Sequence, residues 1–153
     1  MKNVVAALLF AGCLSVAHAD PSLLGKWKSS HELTMKFNKA HVILEERQLK
    51  FLDQMMGRMT LTFAGRSVVS HMDSFMITSM AGKTSKFEGH STTSAYRLVA
   101  STDTEVAVTG LSAFTAKRQI TVHHFVDDDT MWVYVGGEMF PDLHIREYFV
   151  RVR

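Results

Sequence analysis

Apolar and polar residues alternate through much of this chain, most regularly in its second half. Residues 94–100, 118–126 and 130–135 alternate or nearly so, and 146–152 continues the pattern. Ser101-Thr102-Asp103, Asp127-Asp128-Asp129 and Gly136-Gly137 punctuate these runs. Period-two runs separated by turn formers predict an antiparallel meander. Upstream, residues 58–64 set Met59, Leu61 and Phe63 against Arg58, Thr60 and Thr62, the two faces of one strand. Gly65-Arg66 predicts a turn, and residues 67–73 and 75–80 two further strands. Past the break at Ala81-Gly82-Lys83, residues 84–90 make a polar strand suited to an edge or a wide end.

A helical period stands out over residues 44–56. Leu44, Gln48, Phe51, Leu52, Met55 and Met56 trace most of one stripe, as an amphipathic helix requires. Glu45 and Glu46 fall in its first turn, where the helix dipole favours acid, and Gly57 is placed to end it. Before it, residues 23–35 read as an opening turn and a first strand. Trp27 either plugs one end of the core there or lies half-exposed on an edge. The expectation is a mainly β domain of eight or nine strands with one helix after the first strand. The turn spacing suits a sandwich or a barrel. Closure into an antiparallel up-and-down barrel would remove the exposed edges.

The first residues change the picture of where this domain works. Residues 1–3 are short and weakly positive, residues 4–16 are almost wholly apolar, and Ala17-His18-Ala19 fits the small-x-small cleavage rule. Residues 1–19 therefore read as a signal peptide and 20–153 as one domain, periplasmic or secreted. Phe10-Ala11-Gly12-Cys13 offers an alternative, a lipobox that would make a lipoprotein anchored at Cys13. Cys13 is the one cysteine, so ordinary cleavage leaves no disulfide and no thiol chemistry. No later segment is long and apolar enough to span a membrane as a helix. The formal net charge of +2 argues against nucleic-acid binding, which needs a concentrated basic face.

Two short stretches carry a family likeness. Gly25-Lys26-Trp27 resembles the Gly-x-Trp that opens the first strand of lipocalins. Residues 146–152 resemble the closing strand of small exported bacterial lipocalin-like proteins of uncharacterised role. The resemblance implies a lipocalin-like barrel and a small apolar ligand inside it. It also implies a late Arg over Trp27. Arg146 and Arg151 both qualify, and Arg146 is the choice because it shares a face with Tyr148, Val150 and Val152. Lipocalins usually carry their helix after the eighth strand, whereas this sequence predicts it after the first.

Candidate chemistry is sparse. His123-His124 cannot easily share one metal, since neighbours on a strand point to opposite faces. His124 lies on the face of Ile120, Val122 and Val126 and reads as a core or lumen residue. Met72, Met76 and Met80 share parity beside His71, conceivable as a copper(I) site but better suited to lining an adaptable apolar pocket. Asp127-Asp128-Asp129 lacks the interleaved ligands of a calcium loop. Gly110-Leu111-Ser112-Ala113-Phe114 lacks the second Gly of a nucleophile elbow. Nothing points to an enzyme, a cofactor or a metal.

The expected function is a non-enzymatic binding protein holding a small hydrophobic or amphipathic ligand. Met59, Leu61, Phe63, Met72 and Met76 are candidate lining residues on the early strands. Tyr96, Leu98, Trp132 and Tyr134 are candidates on the later ones, with Trp27 and Arg146 closing the barrel. If Met131, Val133 and Val135 face inward instead, Trp132 and Tyr134 form an outer patch that docks a partner. The alternative function is then a periplasmic protein-binding inhibitor or immunity module with a filled barrel.

Overall fold

The computed structural model describes residues 21–111, 117–135 and 143–153. The expected signal peptide, Cys13 and the Gly136-Gly137 turn lie outside the described residues.

Eight strands close into an antiparallel barrel. In chain order the strands are β1 (Gly25–Ser29), β2 (Thr60–Ala64), β3 (Ser67–Met72), β4 (Phe75–Thr78), β5 (Thr84–Phe87) and β6 (His90–Ser101), followed by β7 (Glu105–Leu111), β8 (Arg118–Asp127), β9 (Thr130–Tyr134) and β10 (Arg146–Val152). Around the barrel they run β1-β10-β9-β8-β7-β6-β3-β2, while β4 and β5 form a separate hairpin. The expected mainly β, up-and-down barrel is thus present. Strand β7 is an addition, since its pattern had not singled it out.

Two helices, α1 (His31–His41) and α2 (Glu46–Met55), both join β1 to β2. Helix α2 is the expected one, opened by a capping box between Glu45 and Gln48. Helix α1 corrects the reading of residues 29–35 as strand. Ser30 caps it, its hydroxyl accepting from the Leu33 amide at 3.3 Å. Its buried face is largely polar, with Thr34 and Asn38 beside Met35, so it carries little apolar period to read.

That polar face has a structural task. Strand β1 pairs with β10 only as far as Phe149, which leaves the start of β10 without a strand neighbour on that side. Thr34 Oγ1 accepts from the Tyr148 amide at 2.9 Å. Asn38 accepts from the Arg146 amide at 3.1 Å and donates to its carbonyl at 2.7 Å. Helix α1 thereby stands in for the missing strand, because buried backbone groups must be paired. Gln54 of α2 does the same for β4, donating to the Thr78 carbonyl at 3.2 Å and accepting from its amide at 2.8 Å.

One side of each strand fills the barrel. Trp27, Met59, Phe63, Met72, Val106, Val108, Met131 and Phe149 form the main core. Arg151, not Arg146, covers Trp27, its guanidinium 4.2 Å from the ring. Arg151 also donates to the Leu24 carbonyl at 2.6 Å and to the Asp128 carbonyl at 3.0 Å. It thus ties the N-terminal lead to the β8–β9 turn beneath the barrel floor. No helix among the described residues is long and apolar enough to cross a membrane.

Candidate functional site

The strand registers decide which expected lining residues meet. Phe63 and Tyr96 face inward and touch edge to face at 5.5 Å, and Met59, Leu61 and Met72 share that interior. Leu98 has the inward parity, opposite buried Val108, yet is 57% exposed. Strand β6 overruns β3, whose pairing ends at Ala95, so no described strand on that side covers it. Met76 is corrected outright: it sits on the separate hairpin and is 60% exposed.

Trp132 and Tyr134 are corrected too. Met131 and Val133 are the buried members of β9, so the aromatics face out. There Trp132 stacks on His124 at 3.8 Å, and the Arg146 guanidinium lies 3.8 Å from the Trp132 ring and 4.2 Å from that of Phe37 on α1. Arg146, expected at the barrel closure, therefore belongs to an outer aromatic stack. His124 is outside as well, its ring nitrogen 2.8 Å from Glu105.

The inward histidine is His123. It is buried, lies edge to face with Phe63 at 5.5 Å, and its Nδ1 has no hydrogen-bond partner among the described residues. Burial, helped by neighbouring His124, pushes its pKa down to about 4, because an apolar interior disfavours the imidazolium. Glu147 is the second buried ionisable group. The Ser29 hydroxyl donates to it at 2.5 Å and itself accepts from the Gly57 amide at 2.9 Å. Burial pushes the Glu147 carboxyl up to about 7, against the Ser29 hydrogen bond and the Lys28 charge, which both hold it down. The chain Glu147–Ser29–Gly57 joins β10 to both ends of the helical insertion.

These two groups share a level of the barrel. Glu147 stands opposite Val133, and His123 opposite Val106. The β8–β9 register, which sets His124 against Trp132, brings His123 beside Val133. Two strand spacings, about 10 Å of backbone, separate them. The facing wall is built from short polar side chains, Ser70 on β3 and Thr92 and Ser94 on β6. Ser70 is buried, whereas Thr92, Ser94 and Tyr96 remain partly accessible although they point inward. The interior is therefore amphipathic: aromatic and aliphatic at the floor, hydroxyl-bearing on one wall, with a neutral imidazole and a proton-holding carboxyl opposite.

Sequence reasoning passed over Glu147, weighed His123 only as a metal ligand, and named Arg151 for the place over Trp27 but chose Arg146. An acid between Arg146 and Tyr148 on an alternating strand, on the parity of Phe149, was the available signal for Glu147. Two open hollows lie elsewhere. One of about 470 Å³ separates α2 from the β4–β5 hairpin around Phe51, Gln54 and Met80. The other, about 410 Å³, lies at the hairpin's root around His71, Asp73 and His90. Among the described residues no three His, Cys, Asp or Glu side chains converge as a metal site would need. No family model, curated protein or solved structure matches the chain.

Proposed function

We propose that this chain is an exported lipocalin-like binding protein that holds one small amphipathic molecule inside its barrel. The observation that carries the reading is the His123 Nδ1 atom, buried on the inner wall without a partner among the described residues. A buried polar atom left unpaired costs about 1–3 kcal/mol, so it calls for a partner that a bound molecule can supply. The ligand enters along the partly accessible wall of Thr92, Ser94 and Tyr96 and displaces packed core side chains, so that its apolar body lies against Phe63, Val106 and Val108 and its polar head meets His123 or protonated Glu147. A carboxyl that keeps its proton near neutral pH can donate a hydrogen bond, which suits a head group rich in oxygen acceptors.

A titration with the amphipathic dye 1-anilinonaphthalene-8-sulfonate tests this. One dye per chain is expected, with a blue-shifted emission. Ser94→Trp, on the accessible inner wall, abolishes binding, while Thr93→Trp, one residue along and facing outward, leaves it intact. Equal binding by both variants, or none by the parent protein, refutes the reading.

A specific observation favours a second reading, a protein-docking module. The Phe37–Arg146–Trp132 stack lies on the outer surface, and the Arg146 cation has no acidic partner among the described residues. Arg and Trp are the side chains that most often dominate protein interfaces. Loss of partner capture on Trp132→Ser, with dye binding unchanged, would support that alternative.

A further inference from the structure

The outward face of β7 and β8 is more apolar than the inward face of β8. It carries Ile120, Val122 and Val126 on β8 and Ala107 and Leu111 on β7, with Ile120 64%, Val126 61% and Leu111 52% exposed, and the His124–Glu105 pair lies on the same face between Val122 and Val126. The outside of a barrel normally carries the polar half of the alternation. An apolar row on that side marks a surface that another surface covers.

Charge along the same face identifies the occupant. One end carries Arg118, exposed at the start of β8 and without an acidic partner among the described residues. The other end carries Asp103, Asp127 and Asp128, all exposed and likewise without a basic partner there. Val122 lies midway, four residues from Arg118 and four from Val126, about 13 Å each way at strand rise. A two-fold axis through Val122 would set Val122 against its own copy and Ile120 of each chain against the His124 ring of the other. It would also set the basic end of each against the acidic end of the other. An isologous interface of this kind must be complementary to itself, and a face with Ile120 and Val122 at its middle, the His124–Glu105 pair neutralised beside them and opposite charges at its ends meets that condition.

We infer that the outer β7–β8 face is a self-interface, on which two copies of this chain pack antiparallel about Val122. The inference stands apart from the lumen reading, since it uses only the opposite face of the sheet. Sedimentation equilibrium of the purified protein over a range of concentrations tests it, with a charge-swap series. The parent protein should fit a monomer–dimer equilibrium that weakens as salt is raised, because the end charges are exposed. Ile120→Lys should give a monomer throughout. Arg118→Asp alone, and Asp127→Arg with Asp128→Arg, should each weaken the dimer about tenfold or more, and the triple variant should recover it. Circular dichroism of each variant separates loss of fold from loss of association. A parent protein that stays monomeric at every concentration overturns the inference. So does a dimer indifferent to Ile120→Lys, or a triple variant no tighter than its parents.

Discussion

Replacing Glu147 by Gln separates the two buried titrating groups of the barrel. The amide keeps the shape of the side chain and can still accept from Ser29, but it cannot ionise. In the parent protein the folded state holds the Glu147 proton up to about 7, whereas the ordinary carboxyl value is 4.5. Between those values the unfolded chain releases the proton and the folded one keeps it, so stability contributed by neutral Glu147 is full below 4.5 and is lost as pH rises through 7. At 1.36 kcal/mol per pH unit this amounts to about 3 kcal/mol. His123 acts in the opposite sense. Its pKa falls from 6.5 to about 4, so the unfolded chain binds the extra proton, and stability is lost as pH drops through that window, again by about 3 kcal/mol. The two slopes nearly cancel between pH ~4.5 and ~6.5 in the parent protein. Urea unfolding followed by Trp fluorescence, at several values from pH ~4 to ~8, reads the balance directly. Glu147→Gln should match the parent near pH 4 and exceed it by about 3 kcal/mol above pH 7, with stability rising through the His123 window. A variant that parallels the parent at every pH would refute the argument that Glu147 is buried neutral.

Further expectations concern the supports of the site. Asn38→Ala strips the start of β10 of two hydrogen bonds and should cost about 1–3 kcal/mol in a urea melt. Arg151→Met should cost about 2 kcal/mol or more, because it removes the cover of Trp27 and charged hydrogen bonds to the N-terminal lead. Arg146→Met, which loses only the outer stack, should cost about 1 kcal/mol or less. Gly57 has φ 83°, and an added Cβ would lie 2.6 Å from that of His31. Gly57→Ala should therefore lower stability by about 1–2 kcal/mol, visible as a lower melting temperature.

Much of the barrel could be read from alternation and turns, because a period of two with polar breaks has few other solutions. Helix α1 could not. Its inner residues, Thr34 and Asn38, serve the backbone of a strand more than a hundred residues away, and local sequence carries no trace of that partner. The faces of β8 and β9 were inverted for a related reason. The inner face of β8 presents Thr121, His123 and Phe125, while the outer presents Ile120, Val122 and Val126, so hydrophobicity alone selects the wrong side. On β9 the larger aromatics are outside, held by Arg146 and His124, and the barrel takes Met131 and Val133 instead. Of the expected lining, Met59, Leu61, Phe63, Met72 and Tyr96 do converge. The polar members that give the interior its chemistry were hidden in strands that read as ordinary.

Native mass spectrometry of the protein purified from its native source, without detergent or refolding, tests the lumen proposal most directly. A single non-covalent adduct of discrete mass should accompany the folded chain and leave on denaturation. It should be absent from Ser94→Trp and reduced in His123→Phe. Parent protein that flies bare under gentle conditions, while binding no amphipathic probe in solution, would contradict the claim that this barrel is a container.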